Sequence, residues 1–305
     1  MAKNILVIKL SAFGDFVLSL GAFEAIRRQH PQARITLLTT PPFQEMAERC
    51  GFFDSVWIEK RWSWHAFGTW QRFRKRLHLE KFDAVYDMQR NNRTGIYYHL
   101  APALTRQNWL GYRLPQGTSP GLYKKGNAVP EGMLRIEDVR DLRLTDFGWL
   151  HSDISRFNLP PCYALIVPGC APQHPQKKWP GAHYAVLADE MLKEGMIPVL
   201  IGGPAEKELA AAIAARTAGI LNLAGETSFF DIATIARGAS IAVGNDTGPM
   251  HMVSLAGVPS LWLFSGSSNP LQSAPKGEHI YIMREHNIGD ISVTAVIQAF
   301  KGIYR

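Results

Sequence analysis

The sequence predicts an α/β fold built as two successive parallel-sheet domains. Two observations lead to it. From Asn4 to Ile58, and again from Tyr163 onward, short apolar runs alternate with longer stretches of helical periodicity. That alternation is the signature of parallel strands covered by helices on both faces. Between the two series lies His151 to Pro161, a polar segment that ends in Pro160-Pro161 and reads as a linker. The length of 305 residues suits two domains of ~150 residues better than one core. The expected domains are residues 1–155 and 162–305, with the last helix a candidate to pack back on the first domain.

The first domain opens on Asn4 to Lys9, an apolar run suited to a strand buried on both faces. Leu10 to Asp15 is a turn. Phe16 to Arg28 has helical periodicity, is closed by His30-Pro31, and takes Asp15 as a candidate N-cap. Arg34 to Thr39 is a second strand, Phe43 to Arg49 a helix and Ser55 to Ile58 a third strand. From Arg61 to Leu79 basic residues alternate with aromatics. Phe73 and Leu77, four apart, mark the side of a helix that packs on the sheet. Its outer side is either a solvated basic face or a patch for phosphate-bearing or lipid-headgroup ligands. Asp83 to Met88 is a strand that ends in the polar loop Gln89 to Arg93, and Asn108 to Gly111 is a fifth. Arg113 to Val129, rich in Gly, Pro, Ser and Lys, reads as a long loop. Gly132 to Leu150 returns to a helical pattern.

The second domain repeats the plan. Tyr163 to Val167 is a strand, followed by a loop through Lys177-Lys178-Trp179-Pro180. Gly181 to Lys193 is a helix and Ile197 to Ile201 a strand ending in Gly202-Gly203-Pro204. Ala205 to Arg216 is a helix with Glu206 in its first turn. Ile220 to Leu223 is extended, Phe229 to Arg237 helical, and Ser240 to Val243 leads into the turn Gly244 to Gly248. Pro249 then suits the first position of a helix, because its missing N–H costs nothing there. Ser260 to Phe264 is a strand, Ser265 to Lys276 a polar loop, and Ser292 to Lys301 a closing helix.

Composition narrows the function. A hydrophobic fraction of 46% and a charged fraction of 19% are those of a globular protein. No apolar run approaches the ~18 residues of a membrane span. The apolar run that begins at Ile5 is ended by Lys9, too early for a secretory signal. Cys50, Cys162 and Cys170 show no CxxC spacing and read as reduced thiols. A cytoplasmic location is therefore expected. The formal charge of +7 points to an acidic partner: a phosphorylated substrate or an anionic membrane surface. Nucleic acid is set aside, because the basic-aromatic stretch is one local segment beside an α/β scaffold. There is no HExxH, no CxxC and no Asp-x-Asp pair for a nucleotide-bound cation. Gly121 to Asn127 approaches a P-loop but carries Asn127 where lysine is needed. Neither a GxGxxG fingerprint nor a GxSxG elbow occurs. No metal and no cofactor are expected.

What remains is a set of polar residues where parallel strands end, which is where open α/β sheets bind ligands. The first half supplies Ser11, Asp15 and Arg90. The second supplies Lys177, Glu206, Asp246, Thr247, Gly248 and His251. The turn Gly244 to Gly248 reads in two ways: as an anion site made by free N–H groups at a helix N-terminus, or as an ordinary turn capped by Asp246 or Thr247.

Three stretches carry a family resemblance: Lys9-Leu10-Ser11-Ala12-Phe13-Gly14-Asp15, Lys177-Lys178-Trp179-Pro180 and Asn245-Asp246-Thr247-Gly248-Pro249-Met250-His251. In this order and at these separations the chain resembles glycosyltransferase family 9, the bacterial lipopolysaccharide heptosyltransferases, over nearly its whole length. The resemblance implies a GT-B fold, two Rossmann-like domains facing each other across a cleft. It implies an inverting, metal-independent transfer of heptose, typically from ADP-heptose, to the lipopolysaccharide inner core. Asp15 matches the catalytic base. Lys177 matches the lysine that meets the donor diphosphate, and Glu206 the acid that bonds the ribose. Asp246, Thr247 and Gly248 match the donor-site turn, and His251 lies one helical turn beyond them. Ser11, Arg61 and Arg90 fall on the acceptor side. The partners implied are a nucleotide-sugar donor, a phosphorylated lipid-linked oligosaccharide acceptor and an anionic inner-membrane surface met peripherally.

Two departures stand out. Asn269 replaces an acid the family usually carries, and a histidine expected near Leu134 to Arg140 is absent. Two other functions share the scaffold: a nucleotide-sugar epimerase, and a two-domain sugar-binding protein without catalysis.

Overall fold

The computed structural model describes residues 3–111, 133–134, 143–275 and 279–304. The loop expected at Arg113 to Val129, the P-loop-like stretch Gly121 to Asn127 and most of the acceptor-side segment Leu134 to Arg140 lie outside them. The chain forms two compact units, Met1–Thr145 and Asp146–Arg305.

The first unit holds a parallel sheet of β1 (Asn4–Ile8), β2 (Arg34–Thr39), β3 (Ser55–Ile58), β4 (Ala84–Asp87) and β5 (Trp109–Leu110). Their order is β3-β2-β1-β4-β5. Ile5 to Ile8 are fully buried, as a strand covered on both faces requires. The chain runs outward from β1 to β3, then returns to place β4 beside β1. The β1–β4 junction is thus a topological switch point, where the loops that follow two adjacent strands diverge and leave a crevice. The helix Phe67–Glu80 buries Phe73 and Leu77 against Leu38 and Trp57 of the sheet. That is the seam expected from the i,i+4 spacing.

The second unit holds β6 (Tyr163–Val167), β7 (Ile197–Leu200), β8 (Leu221–Asn222), β9 (Ile241–Asn245), β10 (Ser260–Ser265) and β11 (Ile280–Glu285). The order is β11-β10-β9-β6-β7-β8, all parallel. Its switch point lies between β6 and β9. The helix Val293–Tyr304 buries Val296 and Phe300 in the same core as Ala188, Met191 and Ile241.

Several expectations are corrected. The first helix starts at Phe13, three residues early, with Ala12 at its N-cap position. Asp15 is therefore inside the first turn and is not the cap. The helix is also interrupted at Ser19, whose hydroxyl donates to the Asp15 carbonyl at 2.7 Å. Such back-bonding competes with the helical ladder and bends it. Gln89 to Arg93 is not wholly loop, because Asn91 accepts from the Thr94 N–H and starts the helix Asn92–Leu100. The described part of Gly132 to Leu150 is not helical. Thr145 there is held by the Glu24 carboxylate through both its N–H and its hydroxyl. The loop Ser265 to Lys276 contains a short helix, Pro270–Ser273, and β11 follows it at the sheet edge.

Candidate active site

In the second unit, four loops that leave the carboxyl ends of β6, β7, β9 and β10 converge at the switch point. The loop after β6 is anchored by Trp179, 1% exposed, whose indole N–H donates to the Ile291 carbonyl at 2.9 Å. Two residues upstream, Lys177 closes a single 3-10 turn over Pro175–Lys177. Its Nζ lies 2.7 Å from Oδ2 of Asp246, the first residue past β9. Ser268, past β10, donates to the same oxygen at 2.7 Å. The lysine is 21% exposed and the aspartate 6%. A half-buried ammonium is thus held in place by a buried carboxylate, with solvent access on the lysine side.

Asn245 ties these loops together. It is fully buried at the end of β9. Its Oδ1 accepts from the Trp179 N–H at 3.2 Å and the Tyr184 hydroxyl at 2.8 Å. Its Nδ2 donates to the carbonyls of Pro168 and Gly169 at 2.7 and 3.2 Å. One amide satisfies its whole hydrogen-bonding capacity on the loop that follows β6 and the helix Gly181–Lys193 that the loop enters. Replacing Asn245 by Ala leaves those partners buried and unpaired, so an unfolding free energy lower by about 2–4 kcal/mol is expected. Urea titration followed by tryptophan fluorescence measures it; a loss near zero would mean that the loops hold without the amide.

Glu206 reaches the site from past β7. Its Oε2 accepts from the Gly203 N–H at 2.8 Å. A Cβ on Gly169 would stand 2.4 Å from the Glu206 Cγ, so the bare glycine makes room for the acid. Nearby, burial pushes the Cys170 thiol up from its ordinary range, with Glu206 and Asp246 acting in the same direction against Lys177 and Lys178. Thr247 stands extended at the N-cap position of the helix Gly248–Leu255, but its side chain makes no capping bond. The N-terminus of that helix, to which Pro249 contributes no N–H, is therefore without a side-chain cap from Thr247. Gly244 lets the helix pack on the sheet, since a Cβ there would meet Met250 Sδ at 2.7 Å and Val167 Cβ at 2.8 Å. His251 is buried, edge-on to Trp262 with ring centroids 5.1 Å apart.

In the first unit the β1–β4 switch point gathers Lys9, Ser11, Asp15, Asp87 and Gln89. The Gln89 Oε1 accepts from two successive N–H groups, Leu10 at 2.8 Å and Ser11 at 2.9 Å. Gln89 is fixed in turn by Asp87, whose Oδ1 accepts from the N–H groups of Gln89 and Arg90 at 3.1 and 2.9 Å. Burial pushes the Asp87 carboxyl up to about 6 despite those donors. Asp15 is 63% exposed and its Oδ2 lies 4.0 Å from Lys9 Nζ. The sheet thus brings Ser11, Asp15 and Arg90 to one junction. Arg61 is elsewhere: it follows β3, the edge strand, two strands from β1.

The basic-aromatic stretch has its own order. Glu59, fully buried, takes a bidentate contact from Arg93, with Nη2 at 2.6 Å and Nε at 3.1 Å. The Arg93 guanidinium lies 5.0 and 5.3 Å from the Trp64 and Trp70 ring centres. Arg76 stacks over Trp57 at 3.7 Å, beside a groove of about 160 Å³ lined also by Trp62, Arg72 and Phe73. Most of the tryptophans are therefore engaged in stacking and packing, while Arg72, Arg74 and Lys75 stay exposed.

Sequence reasoning missed Lys9, Gln89, Asn245 and Ser268 as site residues. The first three sit inside or beside the motifs that drew attention, next to Ser11, Arg90 and Asp246. Ser268 lies beside Asn269 in the loop Phe264 to Pro270, which resembles the family's closing turn, but nothing in the sequence assigns it a role.

Comparison with known proteins agrees with this architecture. The family model for glycosyltransferase family 9 (heptosyltransferase) matches residues 150–294. Lipopolysaccharide heptosyltransferase 1 of Pseudomonas aeruginosa is 25% identical over 301 residues, covering 88% of this chain and 79% of that protein. The structure of Escherichia coli ADP-heptose lipopolysaccharide heptosyltransferase II superposes with a TM-score of 0.74 at 20% identity, covering 99% of this chain and 98% of that one. The E. coli heptosyltransferase WaaC with ADP does so with a TM-score of 0.71 at 20% identity, covering 98% and 99%. The paired Rossmann-like units are those of the GT-B class. By its matched second half, its relatives and its fold, the chain is similar to glycosyltransferase family 9, and it is a glycosyltransferase.

Proposed function

We propose that this glycosyltransferase moves heptose from ADP-heptose onto the lipopolysaccharide inner core, with inversion at the anomeric carbon and without a metal ion. The observation that carries the reading is the Lys177–Asp246–Ser268 cluster beside the Gly248–Leu255 helix N-terminus. A diphosphate leaving group needs positive charge where its own develops. A fixed ammonium and the positive end of the Gly248–Leu255 helix supply it. Among the described residues no group of three or more His, Cys, Asp or Glu could hold a metal, and Lys177 fills the electrostatic role a cation would have.

In this reading the acceptor hydroxyl oxygen attacks the anomeric carbon as the bond from that carbon to the diphosphate oxygen breaks. The electron pair leaves with the ADP. The hydroxyl proton passes to Asp15, whose exposed carboxylate suits a general base. Glu206 takes the ribose hydroxyls, Asp246 contacts the sugar while holding Lys177, and Thr247 and Gly248 serve the phosphates. His251 shapes the wall behind them. Ser11, Arg61 and Arg90 meet the acidic acceptor, the first domain taking the acceptor and the second the donor. Exposed Arg72, Arg74 and Lys75 suit peripheral contact with an anionic inner-membrane surface from the cytoplasm. Among the described residues no helix is long and apolar enough to cross a membrane.

The test is transfer from ADP-heptose to heptose-deficient core acceptors of graded length, with and without a chelator. ADP release that requires acceptor and survives chelation is expected. Conversion of the donor without acceptor would mean an epimerase, binding without turnover a sugar-binding protein, and chelator-sensitive transfer a metal enzyme.

A further inference from the structure

Lys9 is a lysine in an unusual place. It follows β1 directly, and its side chain is 8% exposed. Burying an ammonium costs several kcal/mol unless other charges compensate. Among the described residues it makes no ion pair closer than its 4.0 Å approach to Asp15 Oδ2. Two carboxylates act on it, Asp15 from the first helix and Asp87 from the end of β4, and both favour its charged form against burial. The Asp87 Oδ2 is itself buried near the Thr94 and Trp109 side chains, and among the described residues it accepts no hydrogen bond of normal geometry. Its other oxygen is used by the Gln89 and Arg90 N–H groups. The junction therefore holds enclosed Lys9 4.0 Å from exposed Asp15 and within the field of buried Asp87.

The exposed carboxylate is weakly held. Apart from the approach of Lys9, the Asp15 carboxylate has among the described residues one hydrogen bond, at 3.4 Å from the Ala12 N–H. At 63% exposure it has little packing to choose its rotamer. We infer that Lys9 is a positioning residue for Asp15: enclosed beside it, its ammonium fixes the direction in which the Asp15 carboxylate points. This rests on the reading of Asp15 as the base. Asp87 supplies the inner counter-charge, and Gln89 fixes the Leu10–Ser11 backbone between Lys9 and the helix that carries Asp15. Lys9 neither touches the donor nor exchanges the proton.

Lys9→Met keeps the length and apolar stem of the side chain and removes only the charge. It is expected to lower kcat for transfer from ADP-heptose by about ten- to hundredfold, the scale of a misplaced catalytic group, with KM for the donor and affinity for ADP unchanged. Lys9→Arg restores a cation at the same place and is expected to recover most of the rate. An unchanged kcat in Lys9→Met, or a fall that Lys9→Arg does not relieve, overturns the proposal. A loss of ADP binding would mean that Lys9 supports the fold instead, and it too overturns the proposal. Crystal structures of the same variants give a readout that needs no turnover. Asp15 is expected in one rotamer in the wild type and Lys9→Arg, and spread over several in Lys9→Met; one unchanged rotamer in all three overturns it. If Asp15→Asn keeps full turnover, the base assignment fails, and the rotamer result still decides whether Lys9 orients that side chain.

Discussion

Asp15→Asn is expected to reduce sugar transfer by about a thousandfold while leaving ADP affinity within a factor of two. The amide has the size of the carboxylate and can still accept the bond from the Ala12 N–H. What it loses is the ability to take a proton from the acceptor hydroxyl as that oxygen attacks. General base catalysis contributes ~10²–10⁴-fold, and no other carboxylate among the described residues stands exposed at the β1–β4 junction, since Asp87 is fully buried. Donor recognition belongs to the second unit in this reading, so calorimetric titration with ADP separates a chemical defect from a structural one. Turnover within tenfold of wild type would remove Asp15 from the chemistry.

Lys177→Met should cost about 10²–10³-fold in kcat, the effect typical of removing one group that stabilises charge in the transition state. The loop itself should hold, because its anchors are Trp179 and Asn245 and neither involves the ammonium. The substitution leaves Asp246, 6% exposed, with Ser268 as its remaining side-chain donor. A carboxylate stripped of its cation at that depth also repels the donor diphosphate, so weaker ADP binding is expected alongside the slower step. Lys177→Arg keeps the charge but places it on a planar fork, and an intermediate rate is expected. If Lys177→Met retains the wild-type rate and ADP affinity, the positive charge comes from elsewhere, and a chelator-sensitive metal becomes the leading explanation.

Much of the fold was legible from residues alone. Ser55–Ile58, Tyr163–Val167 and Gly181–Lys193 have the bounds their patterns predict, because a buried parallel strand or a helix seam imposes its period on consecutive residues. The elements that were missed lack that imprint. Asn92–Leu100 has a weak apolar stripe and begins inside a polar loop. Residues 280–285 form an edge strand, only partly buried, so alternation has little to enforce. Asp15 was misplaced as a cap because the sequence carries no sign that Ala12, which offers no capping oxygen, occupies that position.

The site divides in the same way. Sequence singled out the candidates for chemistry: an aspartate after β1, a lysine before Trp179, a small-residue turn before a helix. Each is a local pattern, set by what a strand end or a helix start can accommodate. Only the tertiary structure decided which of them meet. Strand order placed the loops after β6 and β9 side by side and so set Lys177 on Asp246, 69 residues apart in the chain. It also put Gln89 against Leu10 and Ser11, and enclosed Lys9 beside Asp15. Arg61, which the sequence grouped with Ser11 and Arg90, was left at the edge strand. The reason is physical. Hydrogen-bonded strand neighbours are chosen by the packing of the whole sheet, and that choice, which no single stretch encodes, determines which loop ends share a crevice.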